Sequence, residues 1–290
     1  MSSSVMEQQH KKSLIAIHIA VLLFGISGPL GAVVALPATD IVFSRSLIGA
    51  ATLLGMLLFT RQPIAPQSKL DWAFFAITGS LLAAHWVTFF MSIQMAGVAV
   101  GLTTVSTFTI WVALLEPALS RRFPKLSDIA IAAVVILGVI LVAPEFNWQN
   151  DTTRGAVWGI FSAILFAFLS LSNRQLVKRY SGLVVAFHQQ FIAGLCLLAT
   201  VSLYTTRPSN SDLVSLLILG SLCTAVPHAL FIASLTHINT RTASLITCLE
   251  PVYGIILAAI LISQFPDLRT LIGCAVILSV ACYASIKPAN

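Results

Sequence analysis

The sequence predicts an all-α, polytopic membrane protein: ten transmembrane helices built as two inverted five-helix repeats. Three observations predict it: a shortage of charge, a series of apolar runs each near membrane length, and residue pairs that recur at a nearly constant offset. Of 290 residues, 58% are hydrophobic and 9% charged, whereas a soluble domain carries about 45–50% apolar and about 25% charged residues. So few charges cannot coat a water-facing surface. That excludes an ordinary soluble enzyme, a disordered segment and a nucleic-acid binder. The net charge of +6 belongs to loops beside anionic lipid, not to a basic groove.

A helix crosses the hydrocarbon core in about 20 residues. Apolar runs broken by charge or proline place the spans at 13–36, 39–60, 70–96, 97–119, 126–143, 155–177, 182–205, 212–237, 239–262 and 268–286. Residues 1–12 then form a cytoplasmic segment, 13–143 the first repeat and 155–286 the second. The run from Leu14 to Leu36 is too long for the core of a signal peptide. Gly25, Gly28 and Pro29 interrupt the first span and Pro227 the eighth, and such breaks persist where neighbours or a cavity satisfy the freed backbone groups. Arg45, about two turns into the second span, reads as a scaffold residue bonding those freed carbonyls or snorkelling towards Asp40. The third and fourth spans share almost no loop and form a tight hairpin. Glu116, near Arg121 and Arg122, reads as structural. Cys196, Cys223, Cys248, Cys274 and Cys282 lie in apolar runs without CxxC spacing and read as packing residues.

Orientation comes from the cations. With the N-terminus inside, Lys11, Lys12, Arg61, Lys69, Arg121, Arg122, Lys125, Arg174, Lys178, Arg179, Arg241 and Lys287 face the cytoplasm. Only Arg154, Arg207 and Arg269 face the other side. The positive-inside rule therefore puts both termini in the cytoplasm of a cell inner (plasma) membrane. The repeat supports the same even count. At an offset of 142, Phe24 matches Phe166, Phe89 matches Phe231, Ser92 matches Ser234 and Phe123-Pro124 matches Phe265-Pro266, while the second and seventh spans match at 144. Leu115-Glu116-Pro117 and Leu249-Glu250-Pro251 look alike but sit at 134, and their likeness reads as coincidence. Five spans per copy turn the second copy over, a design that offers two near-equal packings around a midplane site.

Ionisable groups at membrane depth need a partner or a cavity. Glu250 lies near the centre of the ninth span, on a small, polar stripe with Ala243, Thr247 and Gly254. It contacts either a substrate amine or proton, or another helix. His85, Phe89 and Ser92 share a face of the third span beside Trp86; Thr104, Phe108 and Trp111 share one of the fourth; Trp158 and Ser162 share one of the sixth. Aromatics with single polar handles suit an organic amine or an aromatic ring, or else interfacial anchoring, the stronger reading for Trp158. His85 and His228 fall on symmetry-related helices, where an ordinary imidazole permits proton coupling. His18, His188 and His237 read as interfacial, and Gln189 and Gln190 as bridges between helices. There is no HExxH, Gly-rich phosphate loop or paired-Asp arrangement, so neither cofactor nor metal is expected.

The run Leu-Glu-Pro-Val-Tyr-Gly-Ile-Ile-Leu-Ala at 249–258, Phe43-Ser44-Arg45, His85-Trp86 and Ser106-Thr107-Phe108 resemble the drug/metabolite transporter superfamily, specifically its ten-helix bacterial EamA-type exporters. The resemblance spans about 13–286. It departs at Arg121-Arg122 and Ser263-Gln264, where that family often carries Gly-Glu. It implies a central cavity between the first, third, fourth, sixth, eighth and ninth helices, lined by candidates His85, Trp86, Thr104, Trp111, Trp158, Ser162, His228, Glu250 and Tyr253; Phe108 joins them as apolar bulk. The expected activity is secondary transport by alternating access, exporting small amino-acid-like, aromatic or amine metabolites. An uptake carrier for a metabolite or nucleotide-like solute shares the architecture. A membrane enzyme or lipid flippase would need a catalytic cluster or a polar lateral opening, and the sequence shows neither; the expected partners are the solute and the bilayer, with the oligomeric state open.

Overall fold

A computed structural model describes residues 3–119, 123, 126–142, 147–200 and 207–286. These residues form α-helices and no strand. In order they are α1 (Ser3–Ala32), α2 (Ala38–Phe59), α3 (Lys69–Val105), α4 (Phe108–Leu119), α5 (Leu126–Val142), α6 (Asp151–Leu176), α7 (Gly182–Leu197), α8 (Asn210–Gly220), a π turn (Ser221–Ala225), α9 (Val226–Ser234), α10 (Thr240–Thr247), α11 (Glu250–Ile262) and α12 (Leu268–Ile286). Among the described residues, six stretches are long and apolar enough to cross a membrane: Glu7–Ala32, Ala38–Phe59, Lys69–Val105, Asp151–Leu176, Asn210–Ser234 and Thr242–Ile262. Phe108–Leu119, Ala133–Val142, Gly182–Leu197 and Leu268–Val280 are shorter apolar helices. Large apolar side chains such as Leu58, Ile77, Leu217, Leu222 and Ile260 point outward, as a lipid-facing surface requires.

Several expected spans differ in detail. The first is unbroken: Pro29 lies in the last turn of α1, where its missing N–H forfeits a single intrahelical bond. The eighth is widened at the π turn rather than cut at Pro227. The third and fourth spans do meet without a loop. Gly97 adopts φ 82 and ψ 169, a backbone region open to glycine, and reverses the chain within α3. The fourth and ninth spans each break once more, at Ser106-Thr107 and at Cys248-Leu249. Those breaks stand 142 positions apart, as do Gly97 and Asn239, which caps α10. Glu116 sits well inside α4 and Glu250 begins α11, so the two Leu-Glu-Pro runs occupy different places in their helices.

Helix packing repeats under exchange of the halves. α2 lies on α7 and α5 on α12; α1 packs against α9 and α11, just as α6 packs against α3 and α4. Small residues make the closest crossings. A Cβ at Gly25 of α1 would meet Tyr253 Cβ of α11 at 2.7 Å, and one at Gly159 of α6 would meet Thr104 Cβ of α3 at 2.8 Å. Close backbone approach of this kind drives helix association where lipid removes the hydrophobic incentive. Ser92 Oγ seals the second crossing by donating to Gly155 O at 2.6 Å.

Candidate substrate site

Between the halves lies a cavity of about 30 Å³, enough for water but not for an organic solute. To admit one, the helices carrying its walls would have to separate. Those walls come from α1 (Phe24, Ser27), α2 (Arg45), α3 (His85, Trp86, Phe89, Val105), the break at Ser106, α4 (Phe108), α6 (Phe166), α9 (His228), α10 (Thr247) and α11 (Glu250).

Two of the helix breaks border this site. Unwinding at Ser106-Thr107 and Cys248-Leu249 leaves Ser106 and Thr247 beside Phe108 and Glu250, so polar groups face the interior where a continuous helix would bury its backbone. Ser106 Oγ donates back to Leu102 O at 2.9 Å and Thr247 Oγ1 to Ala243 O at 2.9 Å. The hydroxyls thus pair with the backbone near the break.

Of the sequence-predicted residues, His85, Trp86, Phe108, His228 and Glu250 come together here. His85 stacks on Phe166 with centroids 4.7 Å apart. Its Nδ1 donates to Ser162 O at 3.0 Å, while Ser162 Oγ donates to His85 O at 2.8 Å. Ser162 therefore positions the imidazole from behind and does not line the cavity. His228 meets the Trp86 ring edge-on at 5.6 Å, and its Nε2 donates to Gln189 Oε1 at 3.1 Å. Gln189 Nε2 in turn donates to Asn173 Oδ1 at 2.6 Å, a bridge from α7 to α6. Gln190 Nε2 reaches Thr224 O at 3.5 Å.

The other four candidates lie elsewhere. Thr104 donates to Val100 O at 2.7 Å within its own helix and packs on Gly159. Trp111 lines a separate, almost wholly apolar groove of about 260 Å³ between α4, α5 and α6. Trp158 is half-buried against Phe161. Tyr253 packs on Gly25. The break at Ser106-Thr107 explains Trp111: a shared Thr104–Phe108–Trp111 face presumes one continuous helix, and the register changes between the first two. His188, expected at an interface, is 3% exposed and stacks on Phe75 at 4.6 Å, with Nδ1 donating to Val184 O.

Arg45 departs furthest from the sequence expectation. It does not turn to the backbone around Gly28 and Pro29. Only 1% exposed, it lines the cavity, donates from Nε to Thr224 Oγ1 in the π turn at 2.8 Å, and lies 4.4 Å from the Trp86 ring centroid and 5.0 Å from that of Phe90. A desolvated cation over an indole is worth about 2 kcal/mol or more. The repeat offered a signal for this position. At the 144 offset Arg45 matches Gln189, and at 142 Trp86 matches His228, and each pair touches within its own half.

A family model, the EamA-like transporter family, matches the chain twice, over residues 11–143 and 153–286. The chain is 24% identical over 285 residues to an uncharacterized transporter YxxF of Bacillus subtilis, covering 95% of this chain and 90% of that protein. It is 27% identical over 250 residues to the pseudopaline exporter CntI of Pseudomonas aeruginosa, covering 86% of each. About half of it matches an S-adenosylmethionine uptake transporter of Rickettsia conorii, at 26% identity over 146 residues, 50% of this chain and 49% of that one. A solved crystal structure shares the fold with a TM-score of 0.69 at 15% identity, covering 96% of this chain and 98% of the other. With the matched halves accounting for nearly all of the sequence, the chain belongs to the EamA-like transporter family.

Proposed function

We propose that the chain is a secondary transporter of the inner membrane that exports small amino-acid-like, aromatic or amine metabolites by alternating access. The observation that carries this reading is Glu250, half-buried, facing an otherwise largely aromatic cavity at the first turn of α11. A carboxylate there recognises an amine, and Phe89, Phe108 and Phe166 supply apolar surface for the rest of the solute. Halves at 13–143 and 155–286, inverted across ten spans with both termini in the cytoplasm, give the two packings that open the site to either side in turn. His85 and His228 are the groups through which proton movement would couple to transport.

Uptake is the second reading. Relatives are named for movement in both directions, one as an exporter and one, matched over half its length, as an uptake transporter. The test is counterflow of labelled amino acids and amines into liposomes containing the purified protein. Exchange is expected, with strong loss in Glu250→Gln for amine-bearing solutes and a smaller loss in His85→Ala. Amine exchange equal in wild type and Glu250→Gln sinks the assignment of Glu250. Right-side-out and inside-out vesicles then decide direction.

A further inference from the structure

We propose that Arg45 is the carboxylate-binding pole of this cavity, so that the transported solute is a zwitterion bearing both a free ammonium and a free carboxylate. The proposal rests on the reading of Glu250 as the amine pole and adds the opposite one.

Arg45 holds an unsatisfied donor. Guanidinium carries five N–H donors and no acceptor. In Arg45, Nε is taken by Thr224 and the planar face by Trp86 and Phe90, but Nη1 is fully buried and has no hydrogen-bond partner. Leaving a charged donor unpaired out of water is costly. A residue kept only for scaffolding would be expected to spend that nitrogen on a neighbour. A planar fork held by its inner nitrogen and its face, with Nη1 free, is prepared for a carboxylate.

Charge balance points the same way. Arg45 and Glu250 line one cavity, yet no ion pair joins them among the described residues. A solute neutral overall but carrying both charges satisfies each pole without adding net charge to a buried site. An amine lacking the carboxylate adds a net positive charge to this buried site, and an acid lacking the amine adds a net negative one.

The two halves also differ at this position. The residue equivalent to Arg45 is Gln189, whose amide is spent on Asn173 and His228. The fold therefore accommodates a neutral side chain there, and of the two equivalent positions only the one in the first half carries a cation.

The test uses the full-length protein in liposomes and three matched sets of probes. These are L-phenylalanine, L-leucine and L-lysine, each beside its methyl ester and its decarboxylated amine, alongside thermal-shift measurements with the same nine compounds. The best of the three acids is expected to exchange on the order of tenfold faster than its ester and its amine. Arg45→Gln should erase that ratio by slowing the acid alone. Thr224→Val, which removes the tether but keeps the cation, should keep the ratio. Acid, ester and amine exchanging equally in wild type, or a ratio that survives in folded Arg45→Gln, overturns the carboxylate pole while the amine reading stands. If Arg45→Gln does not fold, the wild-type ratio and the thermal shifts decide. Failure of all nine compounds to exchange or to stabilise the protein removes both readings together.

Discussion

Asp71 and Asp212 hold one position in two helices. Each comes three residues after a capping serine, Ser68 for α3 and Ser209 for α8, and each reaches the loop that leads into the second helix of the opposite half. There they part. Asp71 accepts from Arg179 Nη1 at 2.6 Å and Tyr180 Oη at 2.9 Å, whereas Asp212 reaches across to the Ala35 amide at 3.1 Å. One end of the molecule is tied by an ion pair with a phenol, the other by a backbone hydrogen bond. Asp71→Asn is therefore expected to lower the melting temperature and expose the α2–α3 loop to protease. Asp212→Asn should lower the melting temperature less and leave that loop protected. Equal effects would show that the tie at Arg179 holds nothing shut.

The tether between Arg45 and Thr224 joins positions 179 residues apart in the chain. A hydrogen bond to a charged group contributes about 1.5–3 kcal/mol, so Thr224→Val should destabilise the fold by about that amount in denaturant titration. Thr224→Ser, which keeps the hydroxyl, should recover most of it.

Two glycines in helices should respond in opposite ways. A Cβ at Gly159 runs into Thr104, while one at Gly55 meets nothing within 4 Å. Gly159→Val is expected to abolish the monodisperse folded protein, because backbone would have to move to admit it. Gly55→Ala should be neutral or stabilise by about 0.5–1 kcal/mol, since it only removes glycine's conformational freedom from a helix. Gel filtration in detergent and thermal melts separate the two.

Inversion of the halves has a direct check. Gln67 and Ser211 are exposed residues beside the equivalent caps Ser68 and Ser209. Placed singly as cysteines in a chain whose five native cysteines are replaced by alanine, they should label from opposite faces of the membrane. Labelling from one face would falsify the inverted arrangement.

Most of the helices are legible in the sequence because lipid demands long apolar runs, and the hairpin at Gly97 because no polar loop separates the runs on either side of it. The features that stay hidden depend on partners far away in the chain. Asp40 and the Gly28-Pro29 pair are the near neighbours of Arg45 in sequence, but the surface that fixes it, Trp86 with Thr224, belongs to other helices. A helical period draws Trp111 towards the site, and the Ser106-Thr107 break interrupts that period. Glu250 is legible because a carboxylate in the middle of an apolar run has few ways to exist. Tyr253, one turn on, fits a packing contact as well as a cavity and here takes the former.

The π turn at Ser221–Ala225 is where the two halves differ in length. Gly97 lies 29 residues after its serine cap and Asn239 lies 30 after its own, and the extra residue is absorbed where Thr224 Oγ1 donates five residues back to Leu219 O at 2.6 Å. A single inserted residue in an α-helix, accommodated as a π-bulge, is taken up locally, so the residues that follow keep the phase of the sister helix. Thr224 within the bulge meets the guanidinium, and His228 beyond it meets the indole of its own equivalent, Trp86. Deleting Thr224 should straighten this segment into its sister's geometry, leaving His228 in the place that Trp86 holds in the other half while removing the arginine's anchor.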